Sequence, residues 1–446
     1  MNLPRMPWLC ACSLLIGTSA VAAELSPQTE QQVIEWRRDL HANPELGNRE
    51  SRTSKLVAAH LRQLGMEVHE GIAHTGVIGY LAGAQLGPLV ALRADMDALP
   101  VSEGVDLPFA SKVTTQYRGE TVGVMHACGH DTHVAMLMGL AQTLAAERES
   151  LRGRFLFIFQ PAEEGPPEGE EGGAQLMLAE GLFSDRYYGK PDAVLGMHVT
   201  SRLNVGFLGL RSGPMLASAD TFSIHVNGKQ THGSRPWDGI DPIVVGSEIV
   251  LSLQHIVSRE IDITATPTIV TVGQFKGGIR QNIIPDSAEL LGTIRSFDPA
   301  LREKVIAAIE RRATNIAEAA GTTAEFKLRP GGYAVTVNHP ELTAQLRPAL
   351  ESVVGKQRVI TMPLITGAED FSFYAREVPG LFFFVGVTPS DQDAATAASN
   401  HSPLFYVDED ALAVGMRSML AAVHGYLDGA AGANSGDSSD GFEGGK

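Results

Sequence analysis

The chain has little cysteine, no surplus of positive charge and no long apolar run. Only Cys10, Cys12 and Cys128 occur in 446 residues, too few for a disulfide-stapled scaffold. Lysine and arginine number 35 against 51 acidic residues, a formal net charge of −16 with a pI near 5.3. Such a chain lacks the positive footprint that nucleic acid or an anionic membrane surface requires, so neither is an expected partner. No stretch reaches the roughly 20 consecutive apolar residues of a transmembrane helix, and no membrane insertion is expected. Internal repeats, coiled-coil heptads, a P-loop and a dinucleotide fingerprint are all missing. What is there is a large, 44% hydrophobic chain, long enough for two domains that handle small molecules.

The first residues, MNLPRMPWLCACSLLIGTSAVAAE, hold one arginine, an apolar run from Met6 to Ile16 and small residues up to Ala22 and Ala23. That order predicts a secretory signal peptide over residues 1–23 and an exported chain, periplasmic or secreted. Its removal takes Cys10 and Cys12 and leaves Cys128 alone, a thiol either buried or put to use.

Ser26 followed by Pro27 reads as a helix start, and helical pattern runs to about Leu40 and again from Ser51 to Leu64, where Gly65 stops it. Apolar runs at 76–81 and 88–93 read as strands, the second leading into RADMDALP. From Asp131 the residues Val134, Leu137, Met138 and Ala141 mark one face of a helix. A strand over 154–160 enters PAEEG, a helix follows over 173–180, and AVLGMHV reads as a strand ending at Val199. Strands separated by helical crossovers predict an α/β fold, a mixed sheet flanked by helices. Asp95, Asp97, Glu163, Glu164 and His198 then fall at or just beyond strand ends, where open sheets place their ligands.

Near Arg211 to Pro214 the texture changes. Strand patterns at 219–227, 267–275, 286–295 and 322–328, with helices from Asp241 and over 299–319, give the order β-α-β-β-α-β of a split βαβ sandwich. An inserted α+β domain over 212–326 is expected, dividing a first domain into 25–211 and 327–430. Residues 431–446, glycine-rich and polar, need form no packed structure.

The densest ligand chemistry lies in HACGHDTH, residues 126–133. A thiolate and imidazoles suit zinc and its transition-series neighbours, whereas calcium or magnesium would want oxygens. One segment cannot close such a site, and Glu163, Glu164, His198 and His401, each near the end of an apolar segment, are the other candidates. Adjacent Glu163 and Glu164 can divide the work, one ligating an ion and the other moving a proton.

RADMDALP, HACGHD, PAEEG, GMHV and NHSP, in this order and spacing, resemble the co-catalytic zinc peptidase family of aminoacylases and glutamate carboxypeptidases, in its branch of hippurate hydrolases and N-acyl-amino-acid amidohydrolases. The resemblance implies metal ligands at Cys128, His130, Glu164, His198 and His401, a general base at Glu163, and an orienting role for Asp97. It implies two divalent transition-metal ions, zinc first, with manganese, nickel or cobalt also accepted. Asp95 stands where other branches have a ligating histidine; Arg93 and His126 are left as packing residues. The inserted domain becomes a lid or dimerisation domain, whose His232 matches a histidine that reaches an active site and supports the tetrahedral intermediate. Asn282 matches a substrate-binding asparagine. Arg280, where many members have a smaller residue, either clamps a substrate carboxylate or forms an exposed salt bridge. Backbone amides near Gly367 are a further place for that carboxylate.

The expected reaction is hydrolysis of an N-acyl amino acid or small peptide, releasing a free amino acid, by a homodimer or higher homo-oligomer. An exported dipeptidase or carboxypeptidase of the same fold is one alternative. A cysteine hydrolase using Cys128 and a non-catalytic peptide-binding protein are the others.

Overall fold

The computed structural model describes residues 25–436; the expected signal peptide lies outside them. An eight-stranded mixed sheet forms the larger domain, in the spatial order Glu67–Ile72, Gly76–Ala82, Arg152–Gln160, Gln85–Asp95, Ala193–Asn204, Gly380–Thr388, Leu208–Leu210, Val359–Thr361. Its four central strands, from Arg152–Gln160 to Gly380–Thr388, run parallel. Parallel strands need covering on both faces, and the sequence alternates to suit. Phe155, Phe157 and Phe159 join one core, with Val33 and Leu40 of helix Pro27–Ala42, Val134 and Leu137 of helix His130–Ala146, and Met416 and Leu420 of helix Asp410–Gly436. Leu156 and Ile158 point the other way, into a second core with Met177, Phe371 and Tyr374.

Register fixes the site. Asp95 pairs with Gln160 and Arg93 with Gly196, so Asp95, Gln160 and His198 occupy one rung at the carboxyl end of the parallel strands. The strand carrying His198 does not stop at Val199 as the sequence pattern suggests. It continues to Asn204 because pairing with Gly380–Thr388 persists through Thr200 and Asn204.

The inserted domain is a four-stranded antiparallel sheet, ordered Thr268–Gly277, Ser287–Ser296, Asp220–Asn227, Ala324–Leu328, with its own core. Helices Pro242–His255 and Pro299–Ala319 begin as the sequence predicts: Asp241 accepts from Ile243 N at 2.9 Å, Asp298 accepts from Leu301 N at 2.7 Å, and a proline follows each cap. The first helix ends in a π turn, Ile256–Glu260. The last lid strand runs to Leu328, across the expected boundary at 326/327, because it stays in register with Asp220–Asn227 as far as Phe222. The two connections are tied together where Gly213–Leu216 pairs with Thr336–Asn338. Helix Asp410–Gly436 likewise carries regular structure into the segment expected to begin unpacked at 431; residues 437–446 lie outside the described part. No helix among the described residues is long and apolar enough to cross a membrane.

Candidate metal centre

The HACGHD loop turns through Gly129, whose φ is +93° and whose added Cβ would stand 2.3 Å from Val199 Cγ2. Only glycine fits both the conformation and the space. The turn delivers Cys128 and starts the next helix at His130. Cys128 Sγ lies 3.4 Å from His198 Nε2 and 3.2 Å from His401 Nε2. His401, itself at φ +72°, is pinned by its amide to Ala127 O at 2.8 Å, while Asn400 Nδ2 donates to both Cys128 O and Val199 O at 3.1 Å. His401 Nε2 is 2.9 Å from Glu164 Oε1.

Neighbours set the imidazoles. His198 Nδ1 donates to Val199 O at 2.6 Å and His130 Nδ1 faces Asp97 Oδ1 at 3.2 Å, which leaves each Nε2 as the free lone pair. His130 Nε2 is buried with no hydrogen-bond partner. Asp97 also receives the amides of Glu163 at 3.0 Å and Glu164 at 2.9 Å, so one carboxylate aligns His130 and the acidic pair. His133 differs from its neighbours: Nδ1 meets Asp95 at 2.6 Å and Nε2 accepts from Val199 N at 2.9 Å, leaving no lone pair to offer. His126 is buried with neither nitrogen partnered, and burial pushes it down to about 3.

The donors form overlapping sets. Cys128, His130 and His198 make one, and Cys128, Glu164 and His401 another, with the ligand atoms of each within 4.8 Å of one another. Cys128 belongs to both. Burial, then Glu164, Glu163 and Asp95, push its thiol well up, so ionisation there needs a cation. Burial and His133 push His198 well down, which keeps it neutral as a ligand must be. Burial works against charge on His130, yet Asp95 and Asp97 raise it to about 10: the site carries an excess of negative charge that attracts positive charge of any kind. Soft sulfur, imidazole and carboxylate together, with an orphaned buried nitrogen, fit a binuclear site for zinc, manganese, cobalt or nickel.

Glu163 stands beside this cluster, almost fully buried. Burial, then Glu369, Glu164 and Asp370, raise its carboxyl well above the usual carboxylate range. Tyr333, at the return from the lid, donates its hydroxyl to Glu163 O. Beneath lies a buried ionic network that the sequence analysis missed. Arg93, left there as a packing residue, binds Asp95 at 2.6 Å, Gln160 at 2.9 Å, and Glu369 and Asp370 each at 2.9 Å. The acidic pair in AEDFSFY was the available signal.

The lid residues stand apart. His232 Nδ1 accepts from Ser234 N at 3.0 Å, and the strand segment Thr231–His232 pairs with Ile283–Ile284 beside Asn282, whose carbonyl accepts from Gly233 N at 2.8 Å. Arg280 is exposed and pairs with no carboxylate among the described residues. Gly367 lies where the first connection crosses to the lid, its carbonyl accepting from Ala217 N at 3.0 Å. The structure therefore brings His232 and Asn282 together, and among the described residues neither hydrogen-bonds to the metal cluster.

Comparison with known proteins agrees with this geometry. The model of "Peptidase family M20/M25/M40" matches residues 91–425. The chain is 42% identical over 389 residues to thermostable carboxypeptidase 2 of Saccharolobus solfataricus, covering 87% of this chain and 93% of that protein. It is 38% identical over 424 residues to IAA-amino acid hydrolase ILR1-like 2 of Arabidopsis thaliana, covering 94% and 89%. The crystal structure of Bacillus subtilis YXEP protein, described as a dinuclear metal binding peptidase, has a TM-score of 0.75 at 33% identity, covering 90% of this chain and 99% of that one.

Proposed function

The chain belongs to peptidase family M20/M25/M40 and hydrolyses amide bonds of N-acyl amino acids or peptides with a metal-dependent site, releasing a free amino acid; on that premise we propose the following division of labour. Cys128, His130, Glu164, His198 and His401 hold the two ions, which when bound polarise the scissile carbonyl and lower the pKa of the attacking water. Glu163 takes the proton of that water and passes it to the leaving nitrogen, a task for a carboxylate whose pKa is lifted toward neutrality. Asp97 fixes His130 and both glutamate backbones in one arrangement. His232 stabilises negative charge on the carbonyl oxygen once the lid and site meet, and Arg280, Asn282 and amides near Gly367 take the substrate carboxylate.

The observation that carries this reading is Cys128 lying between two imidazoles and Glu164, with Glu163 adjacent. It also weighs against a cysteine nucleophile, whose thiolate needs a positive surrounding rather than two carboxylates. A binding protein would have no use for a proton-transfer group beside a metal cage. The test is metal-reconstituted protein incubated with N-acetyl, N-benzoyl and dipeptide substrates, released amines being measured, with E163A alongside. Turnover that vanishes on chelation, returns with added metal and is absent in E163A is expected; turnover by the chelated protein, abolished by thiol alkylation, would support the cysteine reading instead.

The leader composition supports export, to the periplasm where the cell has an outer membrane. An apolar edge on the lid supports a homodimer: Val244 and Leu251 on helix Pro242–His255 are 54% and 68% exposed, and Phe275 lies on the outermost lid strand. Sedimentation of the wild type against L251D tests the dimer.

A further inference from the structure

The turn that presents Glu163 is strained and tightly held. Ala162, one residue before it, takes φ of +50°, a left-handed conformation that a residue with a Cβ keeps only where its surroundings enforce it. Ala162 N donates to Glu50 Oε1 at 2.9 Å, the amides of Glu163 and Glu164 go to the two oxygens of Asp97, and Asp370 N donates to Glu163 Oε1 at 3.4 Å. Gly47 packs against the same turn, where an added Cβ would meet Ala162 Cβ at 3.1 Å. These partners all belong to the larger domain. The carbonyl of Glu163 is held differently: its donor is the hydroxyl of Tyr333, on the chain returning from the lid.

Tyr333 is placed from two sides. Its backbone pairs in both directions with Ala219 on the outgoing connection, Ala219 N to Tyr333 O at 3.0 Å and Tyr333 N to Ala219 O at 2.8 Å. Gly332 permits that close approach, since a Cβ there would stand 2.8 Å from both Ala219 O and Asp220 Oδ1. Asp220 is clamped in turn by Arg302 of lid helix Pro299–Ala319, at 2.8 Å from Nε and 2.6 Å from Nη2. The ring, by contrast, packs edge-on against Phe373 of the larger domain, with centroids 6.4 Å apart and planes at 80°. A phenylalanine would serve the ring packing and the backbone pairing equally well. Among the described residues the hydroxyl has one partner, and that partner is the peptide of Glu163.

We propose that Tyr333 is a positioning residue for the hydrolysis: its hydroxyl fixes the Glu163 peptide and so sets where the proton-transferring carboxylate stands relative to the donor cluster. The inference rests on the reading of Glu163 as the general base. Tyr333 belongs to neither donor set around Cys128, so losing its hydroxyl leaves the metal ligands in place. What it releases is one of the bonds that hold a strained turn, and a reacting group misplaced by about 1 Å costs up to about 10²-fold in rate. Because the backbone of Tyr333 is shared with Ala219, the same hydroxyl ties the base to the connections that carry the lid.

The experiment is a double-mutant cycle on metal-loaded protein, with kcat and KM measured on one N-acyl amino acid for the wild type, Y333F, E163Q and the combined variant. Y333F is expected to hold both ions by elemental analysis, to keep KM within about twofold of the wild type and to lower kcat about tenfold. In the E163Q background the same substitution is expected to change the residual kcat by less than about twofold, because no base remains to be misplaced. Y333L, which removes the ring as well, gives a second route through the cycle, and thermal unfolding shows which proteins are folded. A folded, metal-loaded Y333F with the kcat of the wild type overturns the proposal. So does a tenfold loss repeated in full on E163Q, or a loss of ions large enough to account for the lost kcat, since either makes the role merely structural. Near-normal turnover by E163Q overturns instead the reading of Glu163, and the role of Tyr333 with it.

Discussion

The thiol of Cys128 stands 3.4 Å from Nε2 of His198, and the same sulfur belongs to two overlapping three-residue donor sets, one with His130 and His198 and one with Glu164 and His401. A ligand shared in this way couples the two ions. Substituting Cys128 by serine should therefore lower the affinity for both, and C128S dialysed at limiting free zinc should hold well under two ions per chain by elemental analysis. Two ions retained under conditions that saturate the wild type would remove the thiol from the site.

Glu163 is separable from the ligands. In E163Q the metal content should match the wild type while kcat falls about 10²-fold or more, the scale of general acid–base catalysis. Turnover close to normal with both ions present would leave the proton transfer without an agent.

Among the described residues Arg93 is the one arginine or lysine paired with Asp95, Glu369 and Asp370, and all four side chains are essentially excluded from water. Replacing it with methionine leaves buried carboxylates uncompensated and should destabilise the fold by about 3–5 kcal/mol in urea unfolding. Adding E369Q to R93M should restore part of that loss, since a neutral amide removes one of the repelling charges. If R93M unfolds at the same urea concentration as the wild type, the network does not hold the site.

His41 gives a pH signature away from the metals. Burial alone would lower its pKa, but Asp131 at 2.8 Å and Glu103 at 3.0 Å raise it overall. A group whose folded pKa is raised stabilises while protonated, so its contribution is complete below the unfolded value of about 6.5 and is lost as pH climbs through the folded value. The difference in Tm between wild type and H41N should be largest near pH 5.5 and shrink toward pH 9. A difference that is flat, or that grows with pH, would reverse the assignment.

Much of the donor cluster was legible because its side chains sit on loops or strand ends that short motifs describe. HACGHD, PAEEG and NHSP each report local geometry, and the carboxyl ends of parallel strands gather them. The split βαβ order of the lid was legible for a similar reason, since Asp241–Pro242 and Asp298–Pro299 announce its helices. Arg93 could not be read this way. Its partner Asp370 is 277 residues distant, and although the acidic pair in AEDFSFY signals a buried charge, nothing in the sequence says which cation meets it. Spacing alone does not separate His133 from His130 in HACGHDTH; the amide of Val199, brought in by sheet register, occupies the second nitrogen of His133. The strand through His198 was read too short because its continuation depends on pairing with Gly380–Thr388, a property of the fold rather than of the segment.

Gly129 sets a boundary on redesign. Its handedness excludes ordinary side chains, and the methyl of Val199 occupies the volume where even the smallest would go. Libraries that randomise residues 126–133 in search of a new metal preference should recover many solutions at the flanking positions, and glycine at 129 in every active clone.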